Sequence, residues 1–355
     1  MKYISRRAAF LIVVLSIAGL VLVYPPVRLL NLLAPQLGSP AWLIPLFFGL
    51  PIALRVLHEQ TNHAWSRAVT AIVMTWLGIC FVMLTILLPA EVVLLSGLVS
   101  THAVGIWVAG IVTLISAYSI FNAQRLHVRE VPLNAPTALK GQSLVQISDV
   151  HIGSRQPGFL KPIVARINNL HPDYTLITGD LIDMHGIGIE NLSPLGEINS
   201  PTLFCIGNHE RYVDLEDICA RLADLGIEVL RNTTVQKNDF QFIGIDDAED
   251  KNQVSRELAK LTPAKDAYKV LLYHRPDDAE GAANWGADLM LTGHTHRGQI
   301  FPFNFLVKKV FPRLYQDYQI DNMRLYVSPG TGTWGPVMRL GSRCEVTHFK
   351  FESVI

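Results

Sequence analysis

Hydrophobic positions in this chain follow two patterns, and the change between them comes near residue 122. Before it lie long unbroken apolar stretches at 8–24, 41–54, 68–88 and 103–121. Crossing a bilayer takes about 20 mostly apolar residues, with about 17 as the low end, so the third and fourth stretches qualify on length. The first follows Lys2, Arg6 and Arg7 and has no small-residue cleavage pattern after it, which reads as a retained anchor. The second holds Pro45 and Pro51 and reaches full length only when extended to 57. The expectation is an all-α transmembrane bundle of about four helices, near 8–24, 41–57, 68–88 and 103–121.

Past residue 122 the apolar runs become short and end repeatedly in polar clusters. Residues 122–141, with Pro132 and Pro136, read as a linker. From 142 to 355, runs at 143–147, 174–178, 201–206, 240–245, 268–272 and 288–292 are strand candidates. Between them, Leu160, Ile163, Val164 and Ile167 have helical spacing over 159–170, and 215–225 reads as a second helix. This half is therefore expected to be an α/β domain whose loops gather at strand carboxyl ends.

Composition supports the division: half of the 355 residues are hydrophobic while 17% are charged, and mean hydropathy is +0.28. Through Phe121 there are six Lys/Arg and two acids, leaving 24 basic and 28 acidic residues in the remainder, a formal charge of −4. A nucleic-acid enzyme would carry a basic surplus there, so no nucleic-acid partner is expected. With four spans, the Lys/Arg of the N-terminal arm, of the loop with Arg55 and Arg67, and of the segment with Arg125 and Arg129 share one side. The positive-inside tendency then puts the second half in the cytoplasm, on a multi-pass bacterial-type inner membrane. Three spans, with the second stretch re-entrant, would reverse this. No charge pairs or paired carboxylates are visible within the spans, which favours anchoring over transport. The four cysteines show no CxxC and read as small buried hydrophobes.

The polar clusters carry the chemistry. Asp149 and His151 leave the first strand one residue apart, and His294 and His296 leave the last in the same way, after Gly293. In an extended chain, residues two apart project to one side, so each pair can reach one cation. Asp180, after Gly179, can offer an oxygen to each of two metals, while Asp183 more simply solvates the loop or orients a ligand. Asn208 supplies a neutral oxygen, and His209 beside it suits a proton donor. Glu210 reads as a support or helix-start residue. His274 follows the run at 268–272 and completes the series. The acidic group Asp246, Asp247, Glu249 and Asp250 reads as a solvated loop.

In this order, Asp149-x-His151, Gly179-Asp180, Gly207-Asn208-His209-Glu210, His274-x-Pro276 and Gly293-His294-x-His296 resemble the calcineurin-like metallophosphoesterase superfamily. The resemblance implies a two-sheet αββα sandwich and two divalent metal ions. Asp149, His151, Asp180 and His296 would hold one, and Asp180, Asn208, His274 and His294 the other, with a bridging hydroxide as nucleophile and His209 at the leaving group. Manganese is the metal the resemblance implies, with iron or zinc also compatible with these donors. The Gly293-His294-Thr295-His296-Arg297-Gly298-Gln299 segment, the later Ser328-Pro329-Gly330 and the apolar first half are similar to a membrane-bound branch that includes UDP-2,3-diacylglucosamine pyrophosphatases of lipid A biosynthesis. Two positions depart from that branch: Arg297 stands for a glycine and Cys344-Glu345 for Pro-Glu. Arg297 is a candidate phosphate grip as well as an ordinary surface arginine.

The function expected is hydrolysis of a phosphodiester or pyrophosphate bond, in a substrate that includes lipid-linked ones, at a bilayer. Phosphomonoester or phosphoprotein hydrolysis is the alternative with the same metal centre, and a binding-only membrane sensor or scaffold the alternative of another class. Residues 301–318 interleave Phe301, Phe303, Phe305, Leu306 and Phe311 with Lys308, Lys309 and Arg313. Such a segment suits either the headgroup region, admitting an acylated substrate, or packing on the domain itself.

Overall fold

The computed structural model describes residues 16–17, 19–37, 49–50, 53–54, 64–134 and 136–352. The chain divides into two compact units, 1–121 with 335–338, and 122–334 with 339–355.

The described part of the first unit is helical: α1 (Tyr24–Leu33), α2 (Ala64–Leu95) and α3 (Thr101–Ala123). Two of its helices, Trp65–Leu95 and Thr101–Ala123, are long and apolar enough to cross a membrane, while Gly19–Leu33 is apolar but shorter. The expected spans at 8–24 and 41–57 lie largely outside the described residues, so the four-helix count has no support here. Leu32 packs with Met83, Leu87, Val104, Val108 and Val112. One feature was not expected: Arg28 of α1 is ion-paired with Glu91, Nε to Oε1 at 2.6 Å, and Tyr24 Oη donates to the same oxygen. The helix continues past residue 88 to Leu95, which brings Glu91 into it.

The second unit opens with β1 (Leu126–Asn134), β2 (Ser143–Ile147), α4 (Leu160–Leu170), β3 (Tyr174–Thr178) and β4 (Thr202–Cys205). It continues through α5 (Asn208–Tyr212), α6 (Leu215–Asp224), β5 (Glu228–Val229), β6 (Thr233–Lys237), β7 (Phe240–Gly244) and α7 (Gln253–Leu258). The remainder is β8 (Tyr268–Leu272), α8 (Ala279–Trp285), β9 (Leu289–Thr292), α9 (Asn304–Val310), β10 (Gln316–Ile320), β11 (Met323–Val327) and β12 (Cys344–Glu352). One six-stranded sheet runs β1-β12-β2-β3-β4-β5, and the other β10-β11-β9-β8-β7-β6.

Side-chain alternation explains the layers. Leu144, Leu176 and Leu203 point inward and meet Phe240, Phe242, Val270 and Leu289 of the other sheet. Their sequence neighbours Val145, Ile177 and Phe204 face outward and are covered by Ile163 and Ile167 of α4 and Ile218 of α6. On the far side Ile243, Leu271 and Met290 lie under Val254 of α7 and Ala279 and Ala282 of α8. Strands covered on both faces read as continuous apolar runs, which is why β2, β3 and β4 stand out in the sequence. Residues 122–141 are not a free linker: β1 occupies much of that stretch and pairs in parallel with β12 from Leu126↔Cys344 to Asn134↔Glu352. Pro132 is tolerated because β1 is an edge strand.

Candidate metal centre

Every candidate ligand follows the carboxyl end of a strand: Asp149 and His151 after β2, Asp180 after β3, Asn208 after β4, His274 after β8, and His294 and His296 after β9. The fold brings them together. His151 Nε2 lies 3.0 Å from His296 Nε2, which is 3.4 Å from Asp149 Oδ1. His274 Nε2 lies 3.0 Å from Asp180 Oδ2 and 3.2 Å from His294 Nδ1. Asp149, His151 and His296 form one group whose donor atoms lie within 4.8 Å of one another, and Asp180, His274 and His294 form another. Asp180 Oδ2 is also 3.9 Å from His151 Nε2, so a single carboxylate faces both groups.

The local backbone differs from the extended geometry expected. Asp149, His151, Asp180, His294 and His296 all have φ between 48° and 70°, in the left-handed region. These side chains converge through tight left-handed turns at strand ends, not through strand alternation. Gly293 serves close approach: a Cβ there would sit 2.2 Å from Asp149 Oδ2. Gly179 meets both demands, with φ of 80° and the Gly207 nitrogen 2.6 Å from where its Cβ would be.

Electrostatics and satisfaction test whether these residues fit cations. Asp149 and Asp180 are at most 2% exposed. Burial raises Asp149 against the pull of His274, whereas for Asp180 burial is outweighed by His274 and His151, which hold it well below the carboxylate range. Burial also opposes charge on His274, but Asp180 and Asp149 overcome it and push it up to about 10. Two buried carboxylates thus demand positive charge, and without a metal a proton on His274 supplies it. His294 and His296 move well below their ordinary value through burial and the neighbouring His274 and His151 respectively, leaving the neutral imidazoles that coordinate metals. The Asn208 Oδ1 is buried with no hydrogen-bond partner, an acceptor lacking the electrophile it would need. Together these features fit two hard or borderline divalent cations.

His209, the second residue of α5, has Nε2 4.0 Å from Asp180 Oδ2 and its ring near those of Tyr212 and Trp334, at 5.9 and 5.8 Å. Burial and the neighbouring His151 lower it to about 4. Asp183 Oδ2 lies 3.4 Å from His151 Nδ1 while accepting from Ser154 Oγ, which orients the imidazole. Those three, His151, Asp183 and His209, form a third donor group. Arg297 lays its guanidinium 4.3 Å over the Tyr315 ring.

The calcineurin-like phosphoesterase model matches residues 143–298, the stretch that carries all of these candidate ligands. A metallophosphoesterase of Campylobacter jejuni is 32% identical over 239 residues, covering 64% of this chain and 64% of that protein. The bovine transmembrane protein with metallophosphoesterase domain is 34% identical over 267 residues, 67% of this chain and 60% of the relative. The chain therefore spans less than two thirds of either relative. A metallophosphoesterase of Aquifex aeolicus is 31% identical over 253 residues, and there the match covers 66% of this chain and 95% of the relative. The chain belongs to the calcineurin-like phosphoesterase family.

Three supports of this phosphoesterase site are weakly marked in its sequence or unmarked. Glu210 is fully buried, and its carboxylate accepts from the backbone N–H groups of Asp180, Leu181, Ile182 and Gly207. It ties the Asp180 turn to the start of α5. Asp247, expected in a solvated loop, is buried and accepts from Arg211 of α5 and from Arg275, next to His274. Only the presence of arginines beside two of the motifs hinted at that. Arg339 is fully buried and donates to the carbonyls of His296, Pro329 and Gly332. No local pattern marks it, since its acceptors lie in turns.

Proposed function

We propose that this protein is a membrane-anchored phosphohydrolase that uses two divalent cations to cut a phosphodiester or pyrophosphate bond. The observation that carries the reading is Asp180, one buried carboxylate oxygen 3.0 Å from His274 Nε2 and 3.9 Å from His151 Nε2. Asp149, His151, Asp180 and His296 would hold one cation, and Asp180, Asn208, His274 and His294 the other. When bound, such a pair supplies Lewis acidity at the phosphoryl oxygens and lowers the pKa of water from about 15.7 to about 7.

The chain's own residues do the rest. Asp149 and Asp180, both buried, set the negative charge of the donor groups. With a pKa near 4, His209 is neutral at physiological pH. Its contribution is then a hydrogen bond from imidazole N–H to the leaving oxygen, not transfer of a proton from imidazolium. The side chains of Tyr212 and Trp334 limit how that ring can turn.

Manganese is the metal proposed, and a lipid-linked pyrophosphate such as UDP-2,3-diacylglucosamine the substrate. The support is the apolar first unit and the name of the bovine relative, a transmembrane protein. The Lys/Arg distribution supports a cytoplasmic active site on a multi-pass inner-membrane protein.

The test is purified full-length protein assayed on bis-p-nitrophenyl phosphate, p-nitrophenyl phosphate and UDP-2,3-diacylglucosamine with the metal varied. Metal-dependent cleavage of the diester or the pyrophosphate, lost in Asp180→Asn, is expected. Turnover that survives Asp180→Asn, or that exceeds both on the monoester, would overturn the proposal.

A further inference from the structure

Eight large hydrophobic side chains are exposed among the described residues from 122 onward, and five of them fall within ten positions. They are Phe301, Phe303, Phe305, Leu306 and Val310, at 45 to 70% exposure. Helix α9, at the centre of this stretch, buries none of its residues. Single exposed hydrophobes are ordinary on a soluble surface, but a run of five calls for something to cover it.

Charge narrows what that cover is. Lys308 and Lys309 close α9, and no Asp or Glu occurs from 289 to 316. An apolar face joined to a basic edge without acids matches the boundary of an anionic bilayer, where acyl chains lie beneath phosphates. Chain connectivity gives an independent argument. Near the end of α3, Asn122 Nδ2 donates to the carbonyls of Arg339 and Ser342, each at 2.9 Å. The Phe301 nitrogen donates to the carbonyl of Leu340, also at 2.9 Å. Asn122, where the chain enters this unit, and Phe301, where the exposed stretch begins, therefore hold the same short loop.

We propose that residues 301–310 form a membrane-contact surface, seated in the headgroup layer of an anionic bilayer with Lys308 and Lys309 on lipid phosphates. This rests on the anchoring part of the function proposed above and is independent of the reaction. Insertion of such a face reaches about 5–10 Å into the headgroup boundary.

The experiment uses the full chain with Val310→Cys and Cys219→Ser, spin-labelled and reconstituted in phosphatidylcholine vesicles with or without phosphatidylglycerol. The remaining cysteines are buried. With phosphatidylglycerol, the label should be reached by oxygen and lose accessibility to a water-soluble nickel chelate, and Lys308→Glu with Lys309→Glu should restore it. If the protein floats with the vesicles through alkaline carbonate but the label stays open to nickel, the surface proposal falls and the anchor stands. If it does not float, both fall. Dipolar broadening by a second copy would assign the patch to self-association and also overturn the proposal.

Discussion

Replacing Glu210 with glutamine tests how the site is held, and the geometry sets the size of the effect. Its two oxygens accept four backbone N–H groups, from Leu181 and Ile182 at 2.7 and 3.0 Å and from Asp180 and Gly207 at 3.0 and 2.8 Å. Glutamine keeps the shape but has one acceptor oxygen, so two of the four donors must face an NH2 group. A buried donor left unsatisfied costs about 1–3 kcal/mol, giving about 2–6 kcal/mol for the pair. In a unit of this size 1 kcal/mol shifts the midpoint by about 2–4 °C, so a fall of about 4–24 °C is expected. Burial, then the charge of Asp180, pushes the Glu210 carboxyl up to about 7, so the comparison belongs at pH 8.5, where it is ionised. Thermal unfolding of the full chain in detergent, followed by circular dichroism with bound metal measured in parallel, is the assay. A midpoint within about 2 °C of the parent would refute the reasoning.

His209→Gln should lower kcat by about 10²–10³, the usual loss of a preorganised donor, while metal content stays unchanged; a drop in bound metal would instead make His209 a ligand, as its group with His151 and Asp183 allows. Asp183→Asn should weaken metal binding by about 10–100-fold through His151, read by competition with a chelating dye, and parent-like affinity would count against the orienting contact. The metal-free protein should show a pH signature from His274, raised from an unfolded value of about 6.5 to about 10. Its stabilisation is complete below about pH 6.5 and fades as pH rises through about 10. Metal must displace that proton, so affinity should rise by up to about tenfold per pH unit across the same window. Titration calorimetry in buffers of different ionisation enthalpy measures the released proton, and no release would contradict the assignment.

What the sequence made legible was whatever is encoded locally. Strands β2, β3, β4, β7, β8 and β9 announce themselves because both faces are buried, and the candidate ligand motifs because each follows one of them. Strand β1 was hidden because Arg129, Glu130 and Pro132 make it look like a connector, and its partner β12 begins more than 200 residues later. Asp247 was hidden for a similar reason, its partners Arg211 and Arg275 being 36 and 28 positions away. A charge read without its partner looks solvated.

The five left-handed candidate ligands show what the site asks of the fold. A non-glycine residue in the left-handed region costs about 1–3 kcal/mol, and five of them sit here. One turn returns part of that locally, because His294 N–H donates to Asp149 Oδ1 at 3.0 Å; the other buried carboxylate, Asp180, accepts at 2.9 Å from His209 N–H at the start of α5. Arg339 adds a fixed positive charge whose donors fall on the carbonyls of His296 and its neighbours, holding that turn from below. Extended strand ends would avoid the strain, but their alternating side chains would send His151 and His296 along separate strand directions. Tight turns after β2, β3 and β9 let these candidate ligands meet Asn208 and His274 in one place, and the inter-sheet core of Leu144, Leu176, Phe240 and Phe242 supplies the stability that keeps them there.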